Sequence, residues 1–344
     1  QGVTPGAYFE GATSLLQLSD LVASLFKAWI FGFIAAMVAT YKGMNCDTGP
    51  AGVGRAVNQA VVLTFLRMVQ GLSVGGEWTT SFTYLVEHAP TGRRGIVSAV
   101  ACCGGMLGTL AGSATGAILA SLMSPEALDT WGWRLPFLFG FFVGIAGLLL
   151  RRKSAGVSEI TGRAIGLPLA ETVRHHLWLV ARLAGVTIFL AVGFYLVFLY
   201  IVSWLQSVDG VDPARALTIN TASMAAMIPI ALAAGWLSDR IGERVPIMLA
   251  AMAGAVAGAV PLFLLMHQDA TLPIVLGQVA LVLLVGSVSA LTPAFMVEVT
   301  PPAVRCTAIA LGYNIPIGVL GGTTPLAAAW LVERTEVDLS PAFM

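Results

Sequence analysis

Charge is what this sequence has least of: 10% of its residues are Asp, Glu, Lys or Arg, against about 25% in ordinary soluble domains. A water-facing surface cannot be built from so little charge, and the mean hydropathy of +0.85 agrees. Basic and acidic residues cancel at 18 each, and no basic cluster alternates with aromatics, which excludes a nucleic-acid partner. The four cysteines, Cys46, Cys102, Cys103 and Cys306, show neither zinc-ligand spacing nor a disulfide framework and read as free thiols. There is no Walker motif, dinucleotide fingerprint, nucleophile elbow or metal-ligand cluster, so nothing argues for an enzyme, a cofactor or a metal. His88, His175, His176 and His267 are scattered beside apolar runs, which suits loop or interface positions. Gln1 is followed by no basic region and no cleavage site, so no signal peptide is expected and the natural start is expected to lie upstream.

What the chain has instead is long apolar runs. Leu179 to Leu205 and Val245 to Met266 exceed the roughly 18 to 20 residues that cross a hydrocarbon core about 30 Å thick. Spans are expected near 21–40, 60–87, 96–122, 133–150, 178–205, 217–237, 245–266, 273–297 and 306–332. The fold class is therefore an all-α, multi-pass transmembrane bundle of about nine spans. The hydrophilic stretch 151–177 reads as a central loop between a first half, 64–150, and a second half, 178–344. One alternating set of loops carries Arg93, Arg94, Arg151, Arg152, Lys153, Arg163, Arg174, Arg182, Arg240, Arg244 and Arg305; the other carries only Arg134, Arg215 and Arg334 among many acids. Retention of basic residues on the inner side makes the central loop cytoplasmic.

Some polar residues interrupt the apolar runs. Arg67, Gln70 and Glu77 lie in one membrane helix, at about 2.5 to 3.5 kcal/mol for each central charge. Arg67 and Gln70 are three apart, and Glu77 returns to roughly their face two turns later. Gly71, Gly75 and Gly76 permit a close neighbour. This group is either an ion pair at a helix end or a proton- or substrate-responsive site, and the second is favoured. Gly104, Gly108, Gly112 and Gly116 form a smooth stripe that predicts close packing, with sliding during a rocking motion as the alternative. Trp131 to Pro136 suits the membrane interface and includes Arg134 as a minor site candidate.

Gly235-Trp-Leu-Ser-Asp239-Arg240-Ile-Gly242-Glu-Arg244 is a small-residue helix end followed by a tight charged turn. Gly242 lets the backbone reverse. Asp239 and Arg240 are expected to form ion pairs that hold in one conformation and break in another, with Glu298 and Arg305 as partners across Pro301 and Pro302. Tyr195, Tyr200, Tyr313 and Asn314 are candidates for cavity-lining hydrogen bonds, although Tyr also anchors helix ends at the interface.

These motifs together resemble the major facilitator superfamily over about 64–344, and within it the metabolite:proton symporters, which carry proline, betaine, 2-oxoglutarate, citrate or shikimate. The resemblance rests on Arg67 to Glu77 with Tyr84, Glu87 and Arg93-Arg-Gly95, on Trp131 to Pro136, on Gly235 to Arg244, and on Arg305 through Tyr313-Asn314 to Pro325. On the family's twelve-helix plan, Arg67 to Glu87 corresponds to the fourth helix and Ser340 to Phe343 to the opening of the twelfth. The expectation is thus a bundle truncated in its first half and at its C-terminus, without the first-half copy of the Gly235 to Arg244 motif. Phe26 to Gly32, Tyr41 to Gly43 and Gly49 to Val62 are instead similar to the permease subunit of the lipid ABC transporters associated with mammalian-cell-entry proteins. A fusion near residue 64 is expected on that ground.

The resemblance implies a multi-pass protein of the bacterial inner membrane that carries out proton-coupled symport of a small organic acid or zwitterionic osmolyte by alternating access. Glu77 is the candidate proton carrier, because burial favours the neutral form of a carboxyl group, and Arg67 would set its charge or hold a substrate carboxylate. Two alternatives remain: a lipid permease subunit served by an ATPase partner, and a nonfunctional fused fragment.

Overall fold

Apolar runs become helices and hydrophilic breaks become turns. In the computed structural model, which describes residues 71, 75–154, 168–268 and 270–344, α1 covers 75–87 and α2 Arg94–Leu122. They are followed by α3 (Pro125–Thr130), α4 (Leu135–Ser154), α5 (Pro168–His175) and α6 (Leu177–Ser207). Then come α7 (Pro213–Ile241), α8 (Val245–Met266), α9 (Thr271–Val299) and α10 (Pro302–Thr335). Six of these, α2 and α6 to α10, include stretches long and apolar enough to cross a membrane, among the described residues. Arg67, Gln70 and the stretch 1–63 lie outside the described residues.

The expected spans from 96 onward match these helices within a few residues at each end. The central stretch is more than a loop, since α5 lies within it and packs beside the start of α10. Helix ends follow local chemistry. Ser124 and Asp212 cap α3 and α7 by accepting from Ala127 N and Arg215 N, each helix having Pro in its first turn. Gly242, with φ of 83°, closes α7 in the left-handed conformation that glycine adopts freely.

The centre of the described bundle is α9. About two thirds of its apolar window is buried (67%), against 17% for α8, so α9 is surrounded while α8 presents most of its surface outward. Inside lipid every backbone group needs an internal partner, and the first of two π-helical irregularities shows how that is met. A π-helical turn interrupts α6 at Leu196–Tyr200. There Asn220 Nδ2 of α7 donates to the Phe198 carbonyl (3.2 Å), and Gln278 Nε2 of α9 donates to the Val197 carbonyl (3.3 Å) and to Asn220 Oδ1 (2.9 Å). A second π turn, Ile317–Gly321, interrupts α10 just after Asn314, where Gly321 lets the Tyr195 ring of α6 approach.

No described residue packs closely on the glycine stripe of α2. Gly104, Gly108, Gly112 and Gly116 are exposed, and among the described residues nothing lies within 4 Å of where a Cβ would stand. Close approach occurs on other glycines of the helix: a Cβ on Gly105 would meet the Trp78 ring at 2.9 Å, and one on Gly95 would meet the Gly235 carbonyl oxygen at 2.7 Å. Periodicity marks a smooth face but not the neighbour that covers it.

Candidate functional site

Helices α2, α7, α9 and α10 all have an end at the Arg-rich loops, here termed the basic end, where Asp239, Arg244, Glu298 and Arg305 lie. The first turn of α2 has amides to satisfy and no cap of its own, because Arg93 makes no side-chain capping bond. Asp239, near the end of α7, supplies the cap from another helix. Its Oδ1 accepts from Gly95 N and its Oδ2 from Ile96 N, each at 2.8 Å. A carboxylate on the N-terminal turn is also favoured by the helix dipole.

Arg244, which opens α8, completes the arrangement. Its Nη1 lies 2.8 Å from Asp239 Oδ1 and donates to Ser238 Oγ at 2.8 Å, while its Nη2 reaches Glu298 Oε1 of α9 at 3.3 Å. The Arg244 and Asp239 side chains are only 9% and 10% exposed, so their attraction is weakly screened. The backbones touch where they cross. A Cβ on Gly235 would lie 2.6 Å from the Gly95 carbonyl oxygen, and one on Gly95 would also lie 2.8 Å from Asp239 Oδ1. Glycine at both positions is therefore a steric requirement of the charge cluster.

A second seam joins α1 to α10. At its outer edge Arg305 Nη1 pairs with Glu87 Oε1, and Arg305 Nε donates to the Thr300 carbonyl at 3.0 Å. Deeper in, Trp78 Nε1 donates to the Tyr313 hydroxyl (3.0 Å) and Asn314 Nδ2 to the Gly75 carbonyl (3.1 Å). Phe82 packs edge-on against the Trp78 and Tyr313 rings. Glu87 and Gly75 are twelve residues apart, so this seam runs about 18 Å along the helix, more than half of a hydrocarbon core about 30 Å thick.

The structure revises the expected pairings. Asp239 pairs with Arg244 rather than with its neighbour Arg240, whose guanidinium lies over the Trp236 ring at 5.3 Å. Glu298 joins the cluster through Arg244, and Arg305 belongs to the separate α1–α10 seam. Tyr313 and Asn314 bond between helices, and Tyr195 is half-buried against Gly321. Tyr200 lines a cavity of about 420 Å³ near the far ends of α6 and α10, with Ser203, Ser207, Glu333 and Asp338 among its walls. Arg134 donates to the Thr130 carbonyl of α3. Glu77 is exposed on α1 beside Trp78, so the burial on which its choice as proton carrier rested is not found.

Several residues of the site carried too weak a signal to be found by sequence. Trp78 read as one more apolar residue in a span. Asn220 and Gln278 were legible only as amides inside apolar runs, and Ser98, which bonds the backbone of α9, had no distinguishing context.

Comparison with known proteins gives this geometry a setting. The profile of the Major Facilitator Superfamily matches residues 18–315. The match begins well inside the stretch likened to a lipid permease, and the expectation of a fusion near residue 64 gains no support from it. The ectoine/proline transporter ProP of Corynebacterium glutamicum is 31% identical over 303 residues, covering 82% of this chain and 60% of the relative. The glycine betaine/proline/ectoine/pipecolic acid transporter OusA of Dickeya dadantii is 28% identical over 297 residues, covering 82% of this chain and 59% of the relative. The chain thus spans about three-fifths of the length of the curated relatives it matches. The structure of the proton:xylose symporter XylE superposes with a TM-score of 0.66 at 19% identity, over 94% of this chain and 81% of that one, a likeness of fold.

Proposed function

The chain belongs to the major facilitator superfamily, and from that premise we propose that it moves a small zwitterionic osmolyte or organic acid across the membrane by proton-coupled alternating access. The two moving bodies are 64–150 and 178–344, joined through a cytoplasmic 151–177, and the basic end faces the cytoplasm. The observation that carries this reading is the charge cluster at that end. Asp239 and Arg244 tie α7, α8 and α9 to the first turn of α2 through bonds that form when the end is closed and part when it opens. The α1–α10 seam closes the same side, so the arrangement is one in which solute is barred from the cytoplasm. Relatives named for proline, ectoine and glycine betaine favour a zwitterion over an acid.

Glu77 is the proposed proton carrier. Its side chain is exposed on α1, within reach of protons as the bundle opens and closes. Arg67 and Gln70 remain proposed partners on the same helix. Tyr195, Tyr200, Tyr313 and Asn314 are proposed to border the solute path, with Tyr313 and Asn314 exchanging their bonds to α1 for bonds to solute.

The test is uptake into proteoliposomes with an imposed gradient, acid outside, against a panel of labelled proline, glycine betaine, ectoine, citrate and 2-oxoglutarate. Accumulation of a zwitterion only when the gradient is present is expected. Glu77→Gln should abolish the gradient-driven accumulation while leaving exchange of solute across the membrane. Folded protein that takes up no panel member would overturn the proposal, and undiminished gradient-driven uptake in the Gln variant would remove Glu77 from it.

A further inference from the structure

The hydroxyl of Ser98, on α2, reaches into the backbone of α9. Ser98 Oγ donates to the Ala290 carbonyl at 2.6 Å and accepts from the Ala294 amide at 3.1 Å. In a regular α-helix those two groups are partners in a single i to i−4 step. One side chain from the first segment therefore bridges both ends of a backbone step in the second.

The step it bridges lies next to Pro293. Proline offers no N–H to the Ser289 carbonyl one turn earlier, and its ring crowds that carbonyl, so this is where the ladder of α9 is weakest and bending is easiest. The surroundings are dry and tight. Ser98, Ala290 and Ala294 are fully buried, and Ala99, Cys103, Ala231, Ala234 and Ala290 form one small-residue cluster of α2, α7 and α9. A hydroxyl in such a place must find protein partners, and the two it finds belong to the α9 backbone beside Pro293.

Ser98 also sits within one turn of the charge cluster. Gly95 and Ile96, whose amides Asp239 holds, precede it by three and two residues on the same helix. A rigid displacement of α2 away from α7 and α9 together would part both the Asp239 bonds and the Ser98 bonds.

We propose that Ser98 is a detachable positioning residue for the Pro293 hinge, its hydroxyl bridging Ala290 and Ala294 while the basic end is closed and withdrawing when that end opens. In the closed state α2 sets the bend of α9 from outside. In the open state Ala294 N and the Ala290 carbonyl are left to each other, and α9 takes its own curvature. The inference rests on the alternating-access reading and adds to it the place where the central helix changes shape.

The test is amide exchange in the purified full chain, followed at Gly95 and Ile96, whose protection reports closure of the basic end. Ser98→Ala should speed their exchange roughly three- to tenfold, the effect of one net hydrogen bond on the open-to-closed ratio. Pro293→Ala, which restores a backbone donor and stiffens the hinge, should alter the same exchange, and in that background Ser98→Ala should add almost nothing. Exchange in Ser98→Ala within twofold of the unaltered chain, or effects of the two substitutions that simply multiply, would overturn the proposal. Should Ser98→Ala not fold, Pro293→Ala alone decides, because unchanged exchange at Gly95 and Ile96 would mean that the hinge is not coupled to closure. No solute is needed, so a negative result here is distinct from a failure of transport.

Discussion

Helix α7 carries an aspartate at each end, and the two do opposite jobs. Asp212 stands before its first turn and accepts from Arg215 N at 3.1 Å, a cap for its own helix where the dipole favours a negative charge. Asp239 stands in its last turn, where the dipole of α7 disfavours a carboxylate, and caps α2 instead. The contrast extends to the surroundings. At the acidic end, Trp204 Nε1 of α6 donates to the Asp338 carbonyl (2.8 Å) and His267 pairs with Asp209, bonds that stay within the second segment. At the basic end Asp239 and Arg305 bind the second segment to α1 and α2 of the first. Among the described residues, the bonds at one end join α6, α8 and the loops beside them, and those at the other join α7 and α10 to α2 and α1.

The largest test of that contrast is Asp239→Asn. It leaves Arg244 buried with Glu298 as its remaining acidic partner, and loss of one member of a buried pair costs about 3–5 kcal/mol. Uptake is expected to fall at least about tenfold, with faster amide exchange at Gly95 and Ile96. Asp212→Asn, at the other end of the same helix, should cost no more than about 2 kcal/mol and leave transport near normal. Next in size is Gly95→Ala, where the added methyl meets backbone oxygen of Gly235. Overpacking of this kind costs about 1–3 kcal/mol and should appear as reduced thermal stability and reduced uptake together, whereas Gly104→Ala, on a face that no described residue covers, should change either by little.

These expectations draw on features the sequence showed unevenly. Helix positions were legible because apolar length is imposed by the bilayer, and α8 falls on the expected 245–266. The turn at Gly242 was legible because a positive φ selects glycine. Partners across helices were not. Asp239, Arg240 and Arg244 are equally charged candidates in a linear reading, and only the crossing of α2 over α7 at Gly95 and Gly235 decides that Asp239 faces the α2 amides and Arg244. Arg305 and Glu87 are 218 residues apart, with no local pattern to link them. Ser98 is a small residue in an apolar helix until its bonds to Ala290 and Ala294 of α9 are seen.

Two smaller effects sharpen the comparison. Trp204→Phe removes the indole N–H from the Asp338 carbonyl while keeping most of the buried ring, at about 1 kcal/mol. It should lower the melting temperature without moving exchange at Gly95. Smallest is the Glu87 and Arg305 pair, partly open to water, for which a double-mutant cycle with Glu87→Gln and Arg305→Ala should give a coupling of about 0.2–1 kcal/mol. Here the readout is exchange at the basic end, so even a small coupling separates the two ends by kind.

The most direct test of alternation between these ends is counterflow: proteoliposomes preloaded with unlabelled glycine betaine or proline and diluted into a trace of labelled solute, with no ion gradient. Transient accumulation of label is expected for the unaltered chain, with marked reduction for Asp239→Asn and preservation for Asp212→Asn. Folded protein that gives no transient accumulation with either solute, or an Asp239→Asn variant that matches the unaltered chain, would contradict the account.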